Sequence, residues 1–142
     1  MKLDIKIFFL LILFFSGCSK ESINIETFLS EKNGIYFTKD TNNPYSGPAF
    51  SSYNSEQKKE QGDFKNGKRE GPFTFWYENG IKEKEGHYKQ GNFSAKWTYW
   101  NEDGKKYLEE NFTDGKKDGL FTLYDDGRKT REGSYQLGKK DG

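Results

Sequence analysis

Few residues in this chain could do covalent chemistry. Cys18 is the only thiol and His87 the only imidazole among 142 residues. A nucleophilic triad needs a histidine held by a buried partner. His87 instead stands beside Tyr88 in the run "IKEKEGHYK", where glutamates alternate with lysines as on a solvent-facing strand. Steps such as Asn79-Gly80, Asp103-Gly104 and Asp126-Gly127 set amides and carboxylates beside glycines. They lack the EF-hand spacing and the short glycine–aspartate repeat of calcium-binding β-rolls. Turn chemistry accounts for them: Asn and Asp tolerate positive φ, and Gly adopts it freely. No glycine loop of the phosphate-cradling kind is present. The expectation is a chain that is no enzyme and carries no cofactor and no metal. What remains is aromatic. In "GPFTFWYENG", Phe75-Trp76-Tyr77 runs without a break. A half-buried strand alternates its faces, so rings on both faces must fill a core, touch lipid or hold a ligand.

The elements that position these residues begin with a leader. Lys2 and Lys6 precede an apolar run over 7–15, and the small residues Ser16 and Gly17 stand before Cys18. Residues 1–17 therefore read as a secretory signal peptide, too short for an ordinary membrane span. Phe15-Ser16-Gly17-Cys18 resembles a bacterial lipobox, with Phe15 in place of the usual Leu. The resemblance implies that Cys18 becomes the lipidated N-terminus. The mature protein would then be a membrane-anchored lipoprotein on the non-cytoplasmic side of the bacterial cell envelope. Residues 18–33 are expected to form the lipidated N-terminus and a tether, and residues 34–142 the folded domain.

Without Lys2, Lys6 and Asp4, the 23 basic and 22 acidic residues become 21 of each. A neutral chain has no general attraction for nucleic acid, and no cysteine remains for disulfides. A mean hydropathy of −1.05 would suggest disorder. An aromatic share of 18% argues against it.

The aromatics recur. Residues 47–70, 71–94 and 95–118 form three 24-residue blocks in register, and 119–141 forms a fourth of 23. Each block holds an aromatic strand (73–77, 97–100, 121–124) and a turn such as "ENG", "EDG" or "DDG". A charged strand follows, ending on Phe64, Tyr88, Phe112 or Tyr135, and then a second turn such as Asn66-Gly67. No helical period appears after Gly34. The fold class expected is all-β: an antiparallel β-meander of stacked hairpins in a single-layer elongated sheet. Phe73, Phe75, Tyr77, Trp97, Tyr99, Phe121 and Leu123 share one face. Thr74, Thr98 and Thr122 form a row on the other, as do Trp76, Trp100 and Tyr124. Either all these rings are structural, or the Trp76–Trp100–Tyr124 row is partly exposed and is a candidate binding surface.

The pattern G-x-F/W-x-x-Y/W-x-x-(D/N)-G … G-x-Y/F-x-x-G-K-x-x-G resembles the MORN-variant repeat, as found in bacterial proteins of the YwqK-family antitoxin type. The resemblance spans about residues 34–142. Ala95 departs from it at an opening glycine, Glu110 stands where Gly62, Gly86 and Gly133 stand, and Ser55-Glu56 replaces a turn Asn-Gly. Choline-binding hairpin repeats, which cage a quaternary ammonium between rings, fit the spacing less well. The resemblance implies an antitoxin or immunity role in a toxin–antitoxin system. The leader and the absence of a catalytic constellation point to a binding scaffold for a protein partner. A glycan or cell-wall ligand is the further alternative.

Overall fold

The computed structural model describes residues 20–141, so the leader and Cys18 lie outside the described residues. Ten strands form one open sheet in the spatial order β1 (Ile23–Asn24), β4 (Gly47–Ser52), β5 (Lys58–Lys65), β6 (Lys68–Trp76), β7 (Lys82–Lys89), β8 (Asn92–Trp100), β9 (Lys106–Thr113), β10 (Lys116–Asp125), β11 (Arg128–Gln136) and β12 (Lys139–Asp141). From β4 onward, neighbours in space are neighbours in sequence and run antiparallel. This is the expected meander of stacked hairpins. The one parallel pair is β1 with β4. Between those two strands lie α1 (Ile25–Phe28) and a separate hairpin, β2 (Leu29–Lys32) with β3 (Ile35–Thr38).

The expected tether is folded from Ile23 onward. Asn24 caps α1 by accepting from the Thr27 amide at 2.9 Å. Ile25 and Leu29 are buried in the core. A repeat array leaves its first unit's apolar face open unless something caps it. Here β1, α1 and the β2–β3 hairpin do so.

A single sheet acquires an interior because its long strands bend. At one register shift each, β6, β8 and β10 spend two residues more than the strand before them. Gly62↔Phe73 gives way to Asp63↔Glu70, Glu85↔Thr98 to His87↔Ser94, and Glu110↔Phe121 to Phe112↔Lys117. Such bulges bend a strand and re-aim its side chains. Phe93 and Trp97 are four positions apart on β8, which would separate them by about 13 Å in a regular strand. Their rings stack at 4.0 Å between centroids. The bend needs left-handed backbone, which Gly71 supplies at φ 78°. Ala95 holds the same place at φ 57°, at a cost of roughly 1 kcal/mol.

The core is a zipper of rings. Phe64 meets Phe73 at 5.6 Å, Phe73 meets Tyr88 at 5.0 Å, Tyr88 meets Trp97 at 5.2 Å, and Phe93 meets Phe112 at 5.2 Å. The repeated glycine serves this packing. A Cβ on Gly62 would lie 2.4 Å from the Phe73 ring, and one on Gly86 2.3 Å from Trp97. Each ring thus lies flat on bare backbone of the preceding strand. Glu110 breaks that rule, and Phe121 turns the other way, onto Gly133 of β11, where a Cβ would be 2.6 Å from it. Glu110 is itself buried, and the Lys117 ammonium neutralises it at 2.5 Å. Phe121 packs with Tyr135 at 5.2 Å and does not join the main core.

The hairpin tips lock each unit to the one before. The Gly67, Gly91, Gly115 and Gly138 amides donate to the carbonyls of Tyr45, Arg69, Phe93 and Lys117 at 2.7–2.9 Å. The departure at Ser55-Glu56 leaves its turn intact. Glu56 takes φ 64° and donates to the Tyr53 carbonyl at 3.0 Å, as Gly80 does to Tyr77 at 2.9 Å. The fourth unit turns tightly at Asp126 and Gly127, both left-handed.

Candidate functional site

Trp76, Trp100 and Tyr124 fall in line on β6, β8 and β10, on the face away from the ring zipper, and each is half-buried. One strand separates neighbours in the row, so the rings repeat at about 9.5 Å. A second register shift, at Phe75/Trp76, Tyr99/Trp100 and Leu123/Tyr124, sets each ring beside its hairpin turn. The Tyr53 and Tyr77 hydroxyls donate to the Trp76 and Trp100 carbonyls at 2.8 Å, tying the turns of successive units together.

The rings are neither bare nor sealed. The Lys58 ammonium lies 5.5 Å from the Trp76 ring centroid, Lys82 5.0 Å from Trp100, and Lys106 3.9 Å from Tyr124. Each ammonium also donates to the residue three positions on: to Gln61 at 2.6 Å, Glu85 at 2.6 Å and Glu109 at 3.1 Å. In a regular strand, positions i and i+3 face opposite ways. A register shift just after each lysine, opposite Ser51/Ser52, Phe75/Trp76 and Tyr99/Trp100, inserts one extra residue and brings the two to one side. A cation over an exposed ring contributes roughly 0.5–1 kcal/mol. Sequence reading placed the ring row but passed over these lysines. Their signal was a K-x-x-E/Q pattern at Lys58, Lys82 and Lys106, in step with the repeat.

Glu109 is the most densely held member of the strip. It accepts from Lys106, from Lys96 at 3.3 Å and from the Tyr124 hydroxyl at 2.9 Å. Burial works against its charge, but the Tyr124, Lys106 and Lys96 bonds outweigh it and hold the carboxyl below its usual range. Beside the strip lies an open hollow of about 410 Å³ whose walls include Pro72, Thr74, Glu85, His87, Lys96 and Thr98. The His87 side chain is exposed at its rim, and its carbonyl accepts from the Trp97 indole at 3.1 Å. Among the described residues, no group of three His, Cys, Asp or Glu side chains is placed to hold a metal ion.

The core side contains a cation cage, and the chain fills it. The Arg69 guanidinium lies 5.2 Å from the Tyr36 ring centroid, 5.8 Å from Phe64, 5.6 Å from Phe73 and 5.7 Å from Tyr88, and pairs with Glu60 at 2.8 Å. Burial pushes the Tyr88 hydroxyl up to about 12, against the pull of Arg69.

Cys18, the expected lipidation site, lies outside the described residues. No described helix is long and apolar enough to cross a membrane. No family model matches the chain, and no curated protein matches it.

Proposed function

We propose that this protein is a lipid-anchored scaffold of the bacterial cell envelope that binds a protein partner, without catalysis, through the Trp76–Trp100–Tyr124 strip. The observation that carries the reading is the strip itself: equivalent half-exposed rings on a braced sheet, each beside an oriented ammonium, on the face the core does not use. Rigid aromatic rings give large contact area at low cost in side-chain entropy. The ammonium and carboxylate groups between them would fix a partner's orientation. A partner presenting carboxylates among apolar side chains complements this chemistry. The leader and the lipobox-like Phe15-Ser16-Gly17-Cys18 support the anchor, and the hairpin repeat supports the likeness to MORN-variant proteins.

The test is capture of partners from native membranes with wild type and with a Trp76→Ala, Trp100→Ala double variant. The variant is expected to lose a partner while keeping its melting temperature within a few degrees. An unchanged partner set from a folded variant would remove the strip from binding. The YwqK-type resemblance adds one specific partner class, a toxin acting at the envelope. Cells lacking this protein should then die when the product of the neighbouring gene is expressed.

A further inference from the structure

The folded body begins close to the anchor. The Lys20 ammonium donates to the Ser46 carbonyl at 2.8 Å, against the start of β4. Only Ser19 separates Lys20 from Cys18. Two residues of extended chain span at most about 7 Å. A lipid on Cys18 would therefore hold the N-terminal cap at the bilayer surface, with no length of chain to let it drift away.

That cap presents an apolar feature. Phe28, at the end of α1, is 54% exposed, while Ile25 and Leu29 on either side of it are 8% and 4% exposed. A hollow of about 360 Å³ opens next to Phe28, lined by Ile23, Thr27, Phe28, Thr38, Lys39 and Asp40. Lys39 braces it, donating its amide to the Phe28 carbonyl at 3.0 Å and its ammonium to the Glu26 carbonyl at 2.5 Å. The cap's exposed charges are mixed: Lys20, Lys32 and Lys39 stand against Glu21, Glu26, Glu31 and Asp40. Such a surface has no net attraction for anionic lipid. Its means of holding a membrane is the wedge of Phe28, and contact made from a tethered position needs little intrinsic affinity.

We propose that the cap is a membrane footing, with Phe28 seated at the boundary between headgroups and acyl chains and the sheet standing away from the bilayer. The proposal rests on the anchoring read for Cys18. β6, β8 and β10 lie three, five and seven strand spacings beyond β1, or about 14, 24 and 34 Å along the sheet. The binding strip would thus rise as a ladder from the membrane outward.

The experiment uses the full lipidated chain in vesicles. Cys18 is blocked by its thioether, so a thiol introduced by Phe28→Cys or Lys39→Cys takes a spin label uniquely, and Arg128→Cys serves as the distal control. Collision with oxygen and with a water-soluble nickel chelate is measured in phosphatidylcholine, with and without phosphatidylglycerol. The labels at 28 and 39 are expected to be nickel-protected and oxygen-accessible and the label at 128 the reverse, equally in both lipids. If the labels at 28 and 39 collide with nickel as freely as that at 128, on a chain shown by mass to be acylated, the footing is wrong and the anchor stands. A chain without acyl mass that stays in the soluble fraction overturns both.

Discussion

At the scale of single residues, close approach decides most. Gly86 faces Trp97 with no room for a methyl group, and Trp97 is fully buried. Gly86→Ala should therefore destabilise by about 2 kcal/mol through overpacking, seen as a lower midpoint in urea at unchanged slope. Ala95 makes the opposite case. Its left-handed backbone is strained, so Ala95→Gly should stabilise by roughly 1 kcal/mol, while a loss would mean that its methyl group packs. Glu109 sets a pH dependence. Its folded pKa lies below the ordinary value, so its contribution is complete above the ordinary carboxylate range and is lost as pH falls through the lowered value. Glu109→Gln should melt lower than wild type at neutral pH, by about 1 kcal/mol of stability at this solvent-screened site. The two melting curves should converge in acid.

At the scale of elements, the junction between β9 and β10 differs from the others. Where the earlier units set glycine beneath a ring, this one buries Glu110 under the Lys117 ammonium. Removing the lysine strands a carboxylate that is 7% exposed. Lys117→Met should cost about 3 kcal/mol, and Glu110→Gln far less, since it leaves no buried charge. Equal losses would mean that the pair acts only through packing. The same junction breaks the ring zipper: Phe112 belongs to the main core, whereas Phe121 turns toward Tyr135.

At the scale of the whole molecule, the described units are unequally covered. Ile25 and Leu29 seal the first unit, while β12 is exposed at all three of its positions. Local stability follows buried contacts. Amides of β11 and β12 should exchange with solvent fastest among the long sheet's strands, and those of β6 to β8 slowest. Uniform protection would show that the Glu110 junction does not divide the fold. The strip lies on β6, β8 and β10 and Phe28 on α1 beyond the β1 edge, so the two proposed contacts need not compete.

The sequence alone determined the repeat, the strand class and the in-line placing of Trp76, Trp100 and Tyr124, because a strand's two-residue period and a fixed repeat length leave no freedom about which side chains align. It also exposed the departures at Ala95, Glu110 and Ser55-Glu56, though not their effects. Only tertiary structure decided that the strands bend at the opening glycine, so that Phe93 can stack on Trp97. It decided that Ile25 and Leu29 cap the core, and that Phe121 reverses over Gly133. It also placed a lysine over each ring of the strip. These outcomes depend on register shifts, and a shift of one or two residues is set by what packs across the strand, which local pattern does not record.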